Sequence, residues 1–324
     1  IGTVWFTGGV NLFGWQIFDG GIMGVALGVV LGSFLQLIVS AVGLAGLGFD
    51  YNFKIYWRNK GFRKVLSLLP ARSVDQGMDY VVSLVEVNLA SRLADGTVRA
   101  YQQALTLHMM PINLIGVAIS NAAFPQLTEQ LGEGRNDLFQ KDLRSLLRII
   151  FWMALPVSVV IFFTRGYVVH FIRNGGNQLI AGILGCLVVA ILFRTIYHMA
   201  ARAFYARQDT KTPLYISIFS ITLNIILAII LSMVLKMGAY GLAWAQSTVA
   251  VLEVVVLLEV MNRQMPKLFH MTFVRAIFKM ILDGLVTGVG CYNGVLVFPY
   301  RNHDDSFFSA FPKFVILSLV SFGA

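Results

Sequence analysis

Residues 179–201 read LIAGILGCLVVAILFRTIYHMAA, and this stretch decides the fold class of the chain. Its first 15 residues carry no charged side chain. An α-helix needs about 20 mainly apolar residues to cross the hydrocarbon core of a bilayer. The stretch therefore predicts a membrane-spanning helix. Arg194 and His198 are the polar exceptions within it. Polar groups at membrane depth need a partner or water, so these two residues require an explanation.

Similar apolar stretches fill the rest of the chain. Hydrophobic residues make up 57% of its 324 residues and charged residues only 13%, which excludes an ordinary water-soluble globule. Most stretches are too long for strands and lack two-residue alternation, so we predict an all-α polytopic membrane bundle. About ten spans are predicted, at residues 1–18, 21–47, 73–93, 98–124, 146–164, 179–201, 213–235, 239–261, 274–298 and 307–324. Because the sequence starts and stops inside apolar stretches, we expect it to be a piece of a longer protein.

The basic residues predict the orientation of these spans. Of the 25 Lys and Arg residues, 17 lie in or beside the alternate connections 48–72, 126–145, 202–212 and 262–273, and 7 lie on the opposite side. The positive-inside rule places the more basic side in the cytoplasm. We therefore assign the net charge of +9 to topology and contact with anionic lipids, and we expect no nucleic-acid binding. Residues 48–72 are typical of a basic amphipathic linker at the membrane surface.

Polar side chains recur at helical spacing in five of the predicted spans. These stripes include Glu86; Gln102, Gln103, Thr106 and Asn113; Arg194, His198 and Arg202; Ser217, Ser220 and Asn224; and Gln246 and Glu253. Such stripes favour a hydrated cavity that carries a polar substrate. The alternative is hydrogen bonding within a packed bundle, including an ion pair of Arg194 with Glu86 or Glu253. Pro111, in the fourth span, predicts a kink.

No enzymatic motif is found in the sequence. It has no Walker loop, no HExxH, no GxSxG and no Cys/His cluster with metal-ligand spacing. We therefore predict a transporter without a cofactor or a firm metal site, rather than an enzyme. Coupling to an ion gradient, including sodium, or to the membrane potential stays open.

The most distinctive segment joins the sixth and seventh predicted spans. Residues 201–213 read ARAFYARQDTKTP. Arg202 and Arg207 suit the C-terminus of one helix, and Asp209 or Thr210 can cap the next, which we expect to begin near Pro213. The string resembles the FYA-x-QDTKTP signature of the MurJ/MviN lipid II flippases, in the multidrug/oligosaccharidyl-lipid/polysaccharide exporter superfamily. The matching positions are Phe204, Tyr205, Ala206, Asp209, Thr210, Lys211, Thr212 and Pro213.

Other blocks extend the resemblance over essentially the whole chain. Residues 89–98 (LASRLADGTV), Pro111, residues 116–119 (GVAI) and residues 124–127 (FPQL) are similar to the seventh and eighth helices of that family. Residues 21–36 are similar to its sixth helix. The chain thus resembles helices five to fourteen of a fourteen-helix protein.

The resemblance implies a function and a domain layout. The family moves an undecaprenyl-diphosphate-linked peptidoglycan precursor from the inner to the outer leaflet of the bacterial inner membrane, by rocking two lobes about a cationic cavity. Its partners would be this precursor, membrane lipids and cell-wall synthesis proteins. Residues 1–47 would be the last two helices of the N-terminal lobe, 48–72 the linker, 73–264 the six-helix C-terminal lobe, and 265–324 two additional helices that form a lipid groove.

At the site level the sequence both matches and departs from the family. The polar stripes make Arg194, His198, Arg202, Gln102, Gln103, Thr106 and Asn113 substrate-cavity candidates. By resemblance, many members of the family have an arginine at the position of Thr106. Glu86 and Asn224 match positions linked to ion coupling, but Ala228 supplies no oxygen ligand one turn later. Three interpretations follow: a lipid II flippase, an exporter of another lipid-linked oligosaccharide, and a non-transporting membrane scaffold.

Overall fold

The computed structural model describes residues 10–12, 15–18, 21–45, 60–172, 177–265, 268–269 and 271–297. Helices account for nearly all of these residues, as predicted for an all-α bundle. The exception is a short antiparallel hairpin of β1, Val10–Leu12, and β2, Trp15–Phe18. A membrane helix over residues 1–18 is therefore wrong for these described residues. They are rich in Val, Trp, Ile and Phe, which favour strands, and polar Asn and Gln interrupt the apolar run.

The third predicted span begins earlier than expected, within the predicted linker at residues 48–72. Helix α1 spans Gly21–Ala45, close to the predicted second span, but helix α2 spans Lys60–Ser91 and so begins well inside the predicted linker. The segment FRKVLSLL at residues 62–69 consists mostly of good helix formers, which extend the helix beyond its apolar part. The predicted domain boundaries remain predictions, and α2 crosses the one at residue 72.

The remaining helices follow the predicted spans with longer ends. Helix α3, Thr97–Pro111, continues through a π-helical segment, Ile112–Val117, into α4, Ala118–Gly132. Then come α5, Asn136–Ile172, and α6, Gln178–Ala206. Helix α7, Lys211–Ile229, ends in a second π segment, Ile230–Val234, and is followed by α8, Ala239–Gln264, and α9, Met271–Val297. The kink predicted at Pro111 takes the form of the first π segment, which starts at the next residue.

In the described part of the chain, six helices are long and apolar enough to cross a membrane. They are Ala26–Gly43, Thr97–Gly132, Asn136–His170, Gln178–Ala206, Lys211–Val234 and Ala239–Gln264. The third and ninth predicted spans are helical but are not among these six; the described residues of α2 contain a shorter apolar helix, Tyr80–Ser91. The tenth lies outside the described residues. The count of ten spans is thus not confirmed.

Contacts between Cα atoms divide the chain into two units, residues 1–63 and 64–324. In the second unit α6 is central and packs against α3, α4, α5 and α8. Its first half lies in one apolar cluster with α3 and α8, and its last turns lie in another with α4, α5 and α8. Between membrane helices such close packing stabilises mainly through van der Waals contact. The polar residues of α6 lie between these two clusters.

Candidate polar cavity

A cavity of about 230 Å³ lies among α2, α3, α6 and α8, at the level where α6 carries its polar residues. Its polar lining consists of Ser83, Glu86, His108, Arg194, Tyr197, His198 and Gln246. A second space of about 20 Å³, the size of one water molecule, lies among α6, α7 and α8. Its polar lining consists of Arg194, Tyr197, Ser217, Ser220, Asn224 and Glu253. Arg194 borders both spaces, so the structure brings the arginine of α6 together with acids from two other helices.

Arg194 forms an ion pair across the bundle. Its Nη1 lies 3.4 Å from Oε2 of Glu253, whose side chain is only 4% exposed, while the Arg194 side chain is 25% exposed. Of the two acids that the sequence offers as partners for Arg194, Glu253 is the one within ion-pair distance. A buried carboxylate needs such a counter-charge, because an isolated ion is strongly disfavoured at low dielectric.

Glu86 is buried as deeply as Glu253 but has a different kind of partner. It is 1% exposed and accepts a hydrogen bond of 2.9 Å from the Tyr101 hydroxyl. The amide nitrogen of Gln246 donates to both of its oxygens, at 3.1 and 2.8 Å. Among the described residues, no Lys, Arg or His nitrogen lies within ion-pair distance of Glu86. Its direct hydrogen-bond partners are therefore neutral donors.

Local chain geometry explains the meeting of Glu86 and Tyr101. The turn between α2 and α3 contains Gly96, whose φ of +81° suits glycine. Glu86 lies one helical turn and a half before the end of α2 and Tyr101 about one turn after the start of α3, so the hairpin places them at the same level. Gln246 reaches them from α8, two turns before Glu253 on the same face of that helix.

The other polar residues of the two spaces are held by their own helices or their neighbours. The His108 ring Nδ1 lies 2.6 Å from the carbonyl oxygen of Leu105. The hydroxyl groups of Tyr197 and Ser217 lie 3.1 Å apart. Asn224 is buried, and in the described structure its side-chain oxygen has no hydrogen-bond partner. That oxygen is an acceptor which a water molecule in the small space would satisfy.

The two ion-coupling candidates lie in different spaces of the polar interior. The oxygens of Glu86 accept hydrogen bonds from Tyr101 and Gln246, and Asn224 lines the smaller space beside the cationic Arg194. Within the described residues, no group of three or more His, Cys, Asp or Glu side chains could hold a metal ion. Sodium coupling stays a prediction.

Several predicted site residues lie apart from the cavity. Gln102, Thr106 and Asn113 are exposed, and the Thr106 hydroxyl donates to the carbonyl oxygen of Gln102 within its own helix. Gln103 is partly buried and lines neither of the two spaces. Arg202 donates through Nη2 to Oδ1 of Asn121 and lies over the ring of Phe124, with 5.5 Å from its guanidinium carbon to the ring centroid. The role of these residues as substrate contacts stays a prediction.

The signature segment forms two helix caps in succession. At the end of α6, the amide of Gln208 donates to the carbonyl of Tyr205 and that of Asp209 to the carbonyl of Phe204. Gln208 adopts a φ of +61°. This is the Schellman arrangement, in which one left-handed residue ends a helix and satisfies its last carbonyl groups.

The next residue caps α7. Oδ1 of Asp209 accepts hydrogen bonds from the amides of Lys211 and Thr212, and Oδ2 accepts one of 2.6 Å from the Thr212 hydroxyl. The cap expected from Asp209 is therefore present, and α7 begins at Lys211 rather than near Pro213. Partial burial alone would raise the pKa of Asp209, but the hydrogen bonds from Thr212, Gln264 and Lys211 hold that pKa below its usual value.

Sequence reasoning missed His108 and Tyr197 as cavity residues and Tyr101 as the partner of Glu86. All three occur in spans with polar stripes, but aromatic side chains fit equally well in an apolar core. A signal for Tyr101 existed, because a hairpin with its turn near Gly96 pairs it with Glu86. His108 and Tyr197 gave no comparable signal, since their partners lie on the same helix or across a long-range contact.

Solved structures with the same architecture define the class of this protein. An outward-facing multidrug resistance MATE family transporter of the MOP superfamily aligns with a TM-score of 0.58 and 10% identity, covering 80% of this chain and 62% of that one. A structure described as lipid II flippase MurJ, inward closed conformation, aligns with a TM-score of 0.67 and 22% identity, covering 94% and 62%. The chain therefore has the same helical membrane-bundle fold as these two solved structures.

The family follows from sequence. A family model described as lipid II flippase MurJ matches residues 4–301, and the chain belongs to this family. A probable lipid II flippase MurJ of Borreliella burgdorferi is 26% identical over 233 residues, which cover 70% of this chain and 46% of the relative. The chain spans about half the length of the curated relatives it matches. It is a multi-pass protein of the bacterial inner membrane.

Proposed function

We propose that the protein to which this chain belongs is a flippase that moves lipid II from the inner to the outer leaflet by alternating access. The observation that carries the proposal is the family match over residues 4–301. The polar interior between α2, α6 and α8 supports it, because a bundle without a transport function has no need of buried acids and an arginine around a cavity. The protein is proposed as a transporter, not an enzyme.

Arg194 is the proposed contact for the anionic headgroup within this lobe. A guanidinium binds two oxygens of a diphosphate at once, and the side chain of Arg194 borders the larger cavity while one nitrogen faces Glu253. His198 lies one turn further along α6 on the same cavity wall. Arg202, Gln102, Gln103, Thr106 and Asn113 are proposed contacts only for a conformation in which their exposed face meets the headgroup.

The experiment is genetic rescue. The gene that encodes this chain, expressed at its full length, should restore growth to bacteria depleted of their own lipid II flippase. The matched control is a variant with Arg194→Ala, compared at equal folded abundance in the membrane. Rescue by the unaltered gene but not by this variant supports both the function and the role of Arg194. Failure of a well-expressed, folded protein to rescue would contradict the proposal.

A second candidate is export of another lipid-linked oligosaccharide. The observation that favours it is Thr106, which stands where many relatives in the family have an arginine and whose hydroxyl bonds only to its own helix. Rescue of a polysaccharide-exporter mutant in place of the flippase-depleted strain would favour this candidate. Rescue of neither strain would favour a non-transporting scaffold.

The driving force and the partners of the protein are also proposals. Membrane lipids surround the bundle, and cell-wall synthesis proteins that supply or consume the precursor are proposed partners. We propose the membrane potential as the driving force, because it requires no ion-binding site. If transport in vesicles depends on sodium, a sodium gradient would take the place of the membrane potential in this proposal.

A further inference from the structure

The two buried acids of the polar interior compete for one arginine. Glu86 and Arg194 line the same cavity of about 230 Å³, while Glu253 and Arg194 line the adjoining space. In the structure the guanidinium lies 3.4 Å from Glu253, and Glu86 has only neutral donors, Tyr101 and Gln246. Two carboxylates and one guanidinium leave one negative charge uncompensated in the interior.

A carboxylate at 1% exposure without a counter-ion is strongly disfavoured at membrane depth. A proton on Glu86 would remove this penalty. The partners of Glu86 tolerate both states, because the Tyr101 hydroxyl donates to a carboxylate and can equally accept from a protonated carboxyl. The cavity has room for several water molecules, which can deliver and remove the proton.

The position of Arg194 between the two spaces makes the arginine available to both acids. Successive helices joined by short turns alternate in direction, so α2 and α6 run antiparallel. Long side chains on a helix lean towards its N-terminus, so those of Glu86 and Arg194 lean in opposite directions along the bundle axis, and both border the same cavity. A rotation of the long Arg194 side chain, which is 25% exposed, would exchange Glu253 for Glu86.

We propose that Arg194 is shared between Glu253 and Glu86, and that a proton on Glu86 decides which acid it pairs with. With Glu86 protonated, Arg194 pairs with Glu253, as in this structure. When Glu86 loses its proton to cavity water, the new carboxylate draws the guanidinium across the larger cavity. The site thus couples release of one proton to the position of the cationic group.

Other titratable groups face the same interior and must be separated from Glu86. They are His108 on α3, Tyr197, His198 and the charged Arg194 on α6, and Glu253 on α8, while Tyr101 of α3 contacts Glu86 directly. The lining residues of α7 are Ser217, Ser220 and Asn224, which do not titrate. Histidine and tyrosine have no carboxyl band in the infrared, so infrared difference spectroscopy distinguishes them from Glu86. Glu253 is a carboxyl group too, and the variants Glu86→Gln and Glu253→Gln distinguish the two acids.

The test uses the purified protein in lipid vesicles, measured in buffers of different pH. The unaltered protein should show the C=O stretching band of a buried, protonated carboxyl at neutral pH. Glu86→Gln should remove the band, whereas Glu259→Gln should retain it, because Glu259 is exposed and pairs with Arg263 at 2.8 Å. A band that survives Glu86→Gln overturns the proposal.

Two further variants test the sharing of Arg194. In Glu253→Gln the guanidinium has only Glu86 left as an acid partner, so the pH at which half the band remains should fall by about one to two units. Arg194→Leu should raise the pH at which half of the band remains, because it removes the cation that favours the carboxylate. If the pH at which half of the band remains is unchanged in both variants, Arg194 is not shared between the two acids and the proposal is overturned. If Glu86→Gln does not fold, Tyr101→Phe replaces it: it should shift the band frequency, and an unshifted band contradicts the assignment to Glu86.

The infrared measurement contains no lipid II and no transport step. Its failure is therefore distinguishable from failure of the rescue experiment, which tests the proposed flippase function.

Discussion

The two buried acids of the polar interior, Glu253 and Glu86, are stabilised in different ways. On the α6–α8 side, Glu253 is compensated by the charge of Arg194. On the α2–α3 side, Glu86 is compensated by hydrogen bonds from Tyr101 and Gln246. A charge pair fixes the carboxylate in its ionised form, whereas neutral donors leave its protonation free to change. Equal burial thus yields one structural acid and one acid that can exchange a proton.

The largest effect is expected from removing the cation that distinguishes the two sides. Arg194→Ala should abolish transport of the lipid-linked precursor, while Arg194→Lys should only weaken it, because lysine keeps the charge but loses the two-oxygen fork. Transport by the full-length protein in vesicles, at equal folded abundance, measures both. Arg263→Ala is the control, since that arginine is exposed and pairs within its own helix. Normal transport by Arg194→Ala would remove it from the list of substrate contacts.

The next effect concerns stability on the charged side. Glu253→Ala leaves Arg194 without its acid partner on α8, and we expect the free energy of unfolding to fall by about 3 kcal/mol. Glu259→Ala, one and a half turns along the same helix, breaks an exposed pair and should cost about 0.5 kcal/mol. Denaturant unfolding in detergent compares the two. Equal decreases in the free energy of unfolding would mean that the buried Arg194–Glu253 pair stabilises the fold no more than the exposed pair does.

This pair also shows how far the sequence alone could lead. Apolar periodicity located α1, α6, α7, α8 and α9 closely, because membrane spans leave a strong signal. It predicted α3 and α4 as one span, it made α5 too short at both ends, and it failed for residues 10–18 and for the start of α2, where composition is mixed. The polar stripes included Glu86, Arg194 and Glu253, but which acid pairs with the arginine depends on which helices adjoin, and no local pattern contains that information. The hairpin at Gly96 could have indicated Tyr101 as a partner of Glu86, whereas Gln246 became its partner only through three-dimensional packing.

A smaller effect should come from the packing that sets the height of Arg194. A Cβ added to Gly116 would lie 2.9 Å from the carbonyl oxygen of Thr195, the residue after Arg194. Gly116→Ala should therefore push α6 away from the π segment and lower the unfolding free energy by about 2 kcal/mol. Gly132→Ala, where the added Cβ meets nothing within 4 Å, is the control. Equal stability of the two variants would show that the helices can separate at Gly116 and Thr195 without a measurable cost in free energy.

The smallest effect concerns a third acid, outside the membrane interior. Asp209→Ala removes the cap of α7 and should cost about 1 kcal/mol. Because the pKa of Asp209 is lower in the folded protein than in the unfolded chain, its contribution is present above the ordinary pKa of aspartate and disappears as the pH falls through the lower, folded value. The stability difference between the two proteins should therefore vanish in strong acid. A pH-independent difference would contradict this account.

The π segment at Ile112–Val117 has a consequence for insertions and deletions in this gene. A π turn holds one more residue than an α turn, so losing a single codon there would let the helix run on in regular α geometry. Because the lost residue is the extra one, the rest of α4 would keep its angular phase, whereas the same deletion in a regular α-helical stretch would turn everything beyond it by about 100°. Asn121 and Phe124 would therefore still face Arg202, which they now contact. The π segment is thus the place where this long helix can lose one residue with the least disturbance to the bundle.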